Sequence, residues 1–282
     1  MNSSDRKPVL VNLNIGDQLT STSCGHVVVE LIKFIVYQRL QIPYSYQWLK
    51  QVINKKKESI NLDQKESFQS ERHFHVASTA LANLDFTLKS ILQEISGSSI
   101  PLEVCIALGA TPVTCKEVYR LLLPTICHKP QCHSSLIATD QKIQRNIFRS
   151  LVTSEELNQV FFNSIPPTNM YVFLRKKTLD NQDAILSTSN FTFTDGCRIP
   201  RSSKIVVIDF RTDKPASVSC CNDFQIFGDL ESTKCNEINL DIDYNEIEST
   251  DDMKWYQSSY VMKGFKDCIV NGSSVTNQWL DS

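Results

Sequence analysis

The sequence predicts an α+β fold. Three segments of helical periodicity come first, strand-like segments crowd the last third, and no unit repeats along the chain. That order argues against a βαβ array and for helices packed on a mainly antiparallel sheet.

Residues 1–20 are polar and weakly patterned, and are expected to form a flexible N-terminal arm. Thr22-Ser23-Cys24-Gly25 then opens an apolar run in which Val28, Leu31, Ile32, Ile35 and Val36 recur at helical spacing. Pro43 ends this helix, with Gln38 and Arg39 near its last turn. Tyr44 to Val52 suits a further helical turn or two. Residues 54–72, rich in Lys, Glu, Ser and Gln, read as a solvated, disordered loop. The second helix runs from about Val76 to Ile95 on a stripe of Leu81, Leu84, Leu88, Ile91, Leu92 and Ile95, with Gly97 and Pro101 beyond its end.

Leu102 to Leu108 is short, apolar and partly β-branched, which predicts a buried strand. Val118 to Leu123 suits a second strand or a short helix. The third helix covers about Ile137 to Val152. Thr153-Ser154-Glu155-Glu156 then has the form of a capping box before one more short helix. Met170 to Leu174 and Lys204 to Phe210 read as strands, Phe191 to Thr194 alternates aromatic with polar residues, and Ser217 to Phe227 is a further strand candidate. Residues 229–253 carry nine acidic residues and one lysine, a composition expected to be disordered. Trp255 to Phe265 returns to aromatic-rich sequence. The reading is a single domain over 21–267 followed by a polar tail, 268–282.

Composition narrows the function classes. With 282 residues, 41% hydrophobic and a formal net charge of -2, the chain can bury a large core. It carries no basic excess that would call for nucleic acid or an anionic membrane as partner. Met1 to Pro8 leads into no apolar segment of the secretory kind, and no run approaches the roughly 18 apolar residues of a membrane helix. Ten cysteines are scattered without repeating spacing, which suits free thiols acting as small hydrophobes in a reducing compartment.

The densest group of metal-ligating residues is Cys127-His128-Lys129-Pro130-Gln131-Cys132-His133. A structural zinc site takes four tetrahedral ligands, usually from two separated pairs. Here the only other cluster is His73-Phe74-His75, and four ligands from one heptapeptide crowd each other. A polar loop is the favoured reading, with a zinc or thiol enzyme as the lesser alternative. Only eight glycines occur, and no phosphate loop, nucleophile elbow or paired-carboxylate signature is present. No catalytic residue, metal ligand or cofactor is assigned.

What remains are interaction features. Tyr37, Gln38 and Arg39 close the first helix beside its apolar stripe. If Ile147 faces the core, a turn of about 100° per residue swings Phe148 onto a flank and turns Arg145 and Arg149 away. An aromatic ringed by arginines suits an interface anchor, although the pattern equally allows Phe148 a place in the core.

These residues resemble a known family. The run from Cys24-Gly25 through Tyr37-Gln38-Arg39-Leu40-Gln41-Ile42-Pro43 is similar to the first helix of the Comet proteins, which bind the spindle-checkpoint protein Mad-two (Mad2). Leu49-Lys50, Ala80 to Leu84, Ala107-Leu108-Gly109, Lys116 to Tyr119 and Ile147-Phe148-Arg149 continue the match in order. Arg198-Ile199-Pro200 before Lys204 to Val207, Trp255-Tyr256-Gln257 and Lys263 to Lys266 complete it, over about residues 20–267. The resemblance implies a HORMA-like fold, with three helices on a mainly antiparallel sheet and a C-terminal belt holding Trp255, Tyr256, Gln257 and Phe265. It implies no enzyme activity. Family members dock on the dimerisation face of closed Mad2 and present it to an AAA+ remodelling ATPase, which disassembles the mitotic checkpoint complex. Such a protein is expected in the nucleus and cytoplasm, and at kinetochores and the spindle in mitosis. Gln38 and Phe148 match the family's contact positions; Arg39, Arg145 and Arg149 join them on geometry. The chain departs from vertebrate members at Phe191 to Thr194, where they carry a Pro-Lys pair. A HORMA-type scaffold that binds a peptide under its belt is the alternative within the same fold.

Overall fold

The computed structural model describes residues 7–13, 19–59, 67–97, 100–124, 140–177, 190–210 and 253–281. One strand precedes three consecutive helices and two strands follow them: β1 (Val9–Asn12), α1 (Ser21–Gln38), α2 (Tyr46–Ser59), α3 (Phe68–Ile95), β2 (Glu103–Gly109) and β3 (Cys115–Leu122). Then follow α4 (Asp140–Thr153), α5 (Glu155–Phe162), β4 (Asn169–Lys177), β5 (Phe191–Thr194), β6 (Lys204–Asp209), β7 (Met253–Ser258), β8 (Met262–Lys263), β9 (Ile269–Val270), β10 (Ser273–Ser274) and α6 (Val275–Asp281). The large sheet runs β1-β6-β3-β2-β4-β7-β5, with β8 also on β4. Its pairings are antiparallel except β1 with β6 and β3 with β6. This is the α+β, HORMA-like arrangement the sequence predicts.

The central strand β2 is buried along its whole length, and its alternation sorts residues to two faces. Val104, Ile106 and Leu108 join the main core with Leu31, Ile32, Ile35, Leu84, Leu88 and Ile91 of the helices. Cys105 and Ala107 point the other way, onto Cys115, Val118 and Phe173, under Cys197 and Ile199. Gly109 ends β2 where a Cβ would stand 2.3 Å from the Cα of Cys115, so only glycine fits the crossing to β3.

Four expectations change. The N-terminal arm contains β1, which adds a parallel edge to β6, and Leu13 and Leu19 are buried beside it. Its four residues are too few to give a visible period. The solvated loop 54–72 is largely helix: α2 continues to Ser59, and α3 begins at Phe68, capped by the side chain of Ser67. The Lys-rich end of α2 hid this, yet Lys56 lies on the buried stripe of Leu49, Val52 and Ile53, where a lysine stem packs as an aliphatic chain. The turn before α5 is capped by Ser154, whose hydroxyl accepts from the Leu157 N–H, one residue after the predicted cap. The polar tail 268–282 is ordered over 268–281 as β9, β10 and α6. The expected strand at Ser217 to Phe227 and the acidic stretch up to residue 252 lie outside the described residues, as does Cys127 to His133.

The tail closes over a polar cluster. Tyr44 donates to Asp267 at 2.8 Å and Thr276 donates to it at 2.6 Å. His73 Nε2 lies 3.0 Å from Thr276 Oγ1 and 3.3 Å from Asp267, with its ring against Trp279. Burial pushes the His73 imidazole below its ordinary pKa, against the pull of Asp267. Burial raises the Asp267 carboxyl, but hydrogen bonds from Ser274, Thr276 and Tyr44 outweigh it and hold the group below the usual range. Both depressed values act alike: the unfolded chain takes up protons that the folded one refuses. His73 therefore withdraws stability as pH falls through about 6.5, and Asp267 does so below about 3.9. The Tm is expected to be lower at about pH 5 than at about pH 7. His73→Gln should flatten that slope in thermal melts, and an unchanged slope would remove His73 as its source.

Candidate functional site

The end of α1 is built to a pattern. Arg39 follows as its cap and Leu40 takes a left-handed φ of 53°. The N–H of Gln41 reaches the Val36 carbonyl and that of Leu40 reaches the Tyr37 carbonyl, each at 2.9 Å. This is a Schellman turn with leucine where glycine is usual. It fixes Tyr37 and Gln38, both exposed, on the last turn. Gln41 then turns inward: its amide donates to the Arg39 carbonyl and its Oε1 accepts from Thr168 N–H. Its carbonyl accepts from Phe265 N–H at 3.0 Å. The Gln41 and Gly264-Phe265 motifs, far apart in sequence, therefore meet. Gly264 allows it, since a Cβ would lie 2.8 Å from the Thr168 carbonyl oxygen.

Helices α4 and α5 pack beside this end of α1. Ile147 and Leu151 are core, while Phe148 is half-buried and meets Phe34 edge-on at 5.8 Å. Phe161 meets Phe34 on its other side at 5.9 Å. Arg145 and Arg149 are exposed. The helical rotation argument thus places Ile147 inward, Phe148 on the flank and both arginines outward.

Arg39 is a correction. It is 1% exposed and cannot present itself to a partner. Its guanidinium forks onto Glu117 of β3, Nε to Oε2 at 2.8 Å and Nη2 to Oε1 at 2.7 Å. It also donates to the carbonyls of Val160, Phe161 and Asn163, capping the C-terminus of α5. Tyr119 donates to the same Glu117 at 2.8 Å. Burial and the adjacent carboxylate push the Tyr119 phenol far up, so it remains a donor. Arg39 thus locks α1, β3 and α5 together beneath the exposed Gln38.

Two exposed apolar residues beside this region escaped the sequence reading. Phe162 is 90% exposed at the end of α5, and Val152 is exposed on α4. The signal was present in Phe161-Phe162: adjacent helical residues diverge by about 100°, so both cannot face one core.

In the belt, Trp255, Tyr256 and Gln257 lie on β7, which is hydrogen-bonded to β4 on one edge and β5 on the other. Phe265 is buried. A segment paired along both edges is part of the sheet, which speaks against a belt that opens to admit a peptide. At Phe191 to Thr194, β5 is the last strand of the sheet among the described residues, with Phe193 58% exposed, edge-on to Tyr256 and beneath Lys254. Among the described residues no group of three or more His, Cys, Asp or Glu is placed to hold a metal. Burial pushes the Cys24 thiol up to about 12 and raises that of Cys115 as well, the reverse of an activated nucleophile.

No curated protein matches the chain. One family profile does: p31comet, described as Mad1 and Cdc20-bound-Mad2 binding, over residues 4–171. That span holds more than half of the sequence, from β1 through α1 and α4 to the start of β4. The chain belongs to the p31comet family, the checkpoint proteins whose described role is to bind Mad2.

Proposed function

We propose that the chain binds the closed form of Mad2 at its dimerisation face and presents it to an AAA+ remodelling ATPase, promoting disassembly of the mitotic checkpoint complex. The observation that supports this most is the joint presentation of Gln38 and Phe148. They come from two helices held together through Phe34, with Arg145 and Arg149 exposed beside them. A half-buried aromatic offers apolar area at low entropic cost, and the amide and guanidinium groups around it give orientation. Arg39 acts from behind, as a positioning residue. Such an adaptor needs no catalytic group, only a rigid face of modest affinity so that Mad2 can leave once it is remodelled.

The test is capture of Mad2 locked closed or locked open on the immobilised protein. Closed Mad2 alone should be retained. Gln38→Ala with Phe148→Ala should cut that retention by at least about 100-fold, the scale of two lost anchors, while far-ultraviolet circular dichroism stays that of the parent. Retention at the parental level would place the Mad2 contact elsewhere.

A further inference from the structure

At one end of the sheet, bordered by Glu117 and Asn163 on the far side of their contacts with Arg39 from α1, lies a cleft of about 440 Å³. Three lysines line it, each from a different segment: Lys7 just before β1, Lys116 on β3 and Lys204 at the start of β6. Strand register gathers them. Lys204 pairs with Glu117, the neighbour of Lys116, and Val9 pairs with Val206, which brings the lead-in of β1 alongside Lys204. None of the three has an ion-pair partner among the described residues. The carboxylate that lines the cleft, Glu117, is already neutralised by the fork from Arg39 and by the Tyr119 hydroxyl. The described side chains that line the cleft therefore carry a net positive charge, in a chain whose formal net charge is -2. Its apolar lining comes from Val9, Ile165 and Ile205.

We infer that this cleft binds an acidic peptide segment of a partner protein, with carboxylates on the lysines and an apolar side chain between them. Three features favour that ligand over a free phosphate. The apolar floor gives phosphate nothing to contact. The nearest helix end is the C-terminus of α5, at Asn163, whereas phosphate sites use the N–H groups of helix N-termini. The cations are lysines from separate segments, point charges suited to carboxylates spaced along a chain rather than to one bidentate anion. Nucleic acid is disfavoured, because its binding rests on many phosphate contacts and three cations supply few. The lysines and the proposed peptide do not draw on the Mad2 reading, although Arg39 borders both regions through Glu117 and Asn163.

The experiment is fluorescence anisotropy of the full chain with a labelled peptide of about nine residues alternating glutamate and valine, a length that spans such a groove. Saturable binding is expected, weakening as salt rises. Lys116→Glu with Lys204→Glu should weaken it by at least about 10-fold, with capture of closed Mad2 unchanged. Lys116→Gln with Lys204→Gln serves as the milder pair should charge reversal disturb folding, and a smaller loss in the same direction is expected. Absence of peptide binding, or equal binding by parent and both lysine variants, would overturn the assignment. Equal binding of a glutamine–valine peptide would overturn it in favour of an apolar groove. Displacement by inorganic phosphate at concentrations matched to the peptide would overturn it in favour of a simple anion site.

Discussion

Arg39→Ala is expected to cost about 3–5 kcal/mol of folding stability, the scale for breaking a buried ion pair by removing one partner. The loss has two parts. Glu117 would keep only the Tyr119 hydroxyl and remain a charge in the core, 4% exposed. The carbonyls of Val160, Phe161 and Asn163 would lose their donor at the end of α5. Urea unfolding followed by circular dichroism reads the loss directly. Arg39→Lys should recover only part of it, because an ammonium cannot fork onto Glu117 and reach three carbonyls at once. Pairing Arg39→Met with Glu117→Leu should recover most of the ion-pair cost, since a buried pair replaced by apolar side chains is often neutral. A single Arg39→Ala variant as stable as the parent would show that water reaches Glu117 and that the fork contributes little.

Trp279→Ala should be comparably damaging. Trp279 is 2% exposed, so removing its ring opens a cavity, and such changes cost about 3–5 kcal/mol. The indole packs on His73 at 5.3 Å and edge-on to Phe74 at 5.5 Å, and it donates to Ser70 Oγ at 3.0 Å. All three partners lie in the first turns of α3, and α6 also packs on α2. Trp279→Phe keeps much of the ring contact and loses that hydrogen bond, so about 1 kcal/mol is expected instead. If Trp279→Ala melts like the parent, residues 268–281 are an appendage and not part of the core.

These two positions show what a sequence reveals and what it hides. The stripes of α1 and α3 and the apolar run of β2 were legible because each buries several residues at a regular period. The sidedness of α4 was legible in part: an inward Ile147 turns Arg145 and Arg149 outward, whereas the pattern left Phe148 evenly between flank and core. Arg39 was misread as an interface residue because its partner, Glu117, lies 78 residues away and nothing local marks the pair. The tail was read as polar because α6 anchors mainly through Val275, Thr276 and Trp279, with Leu280 partly buried beside them, too few to alter its average composition. β1 rests on a parallel pairing with β6, and such long-range pairings leave no local signature. The Gln41 to Phe265 contact explains why two short motifs accompany each other: one closes on the other through backbone hydrogen bonds.

The order of strands in the sheet also imposes an order in time. Among the described residues β5 has a single strand neighbour, β7, which separates it from β4. During synthesis Phe191 to Thr194 leave the ribosome well before Met253 to Ser258, and until then β5 has no edge to join. β4 likewise keeps one flank open while it waits for the same late strand. β7 is thus a keystone, inserted between two earlier strands rather than added outside them. Every polypeptide of this sequence passes through a stage in which one side of its sheet is unfinished. That interval, more than the stability of the finished sheet, is when the newborn chain most needs protection from other unpaired strands.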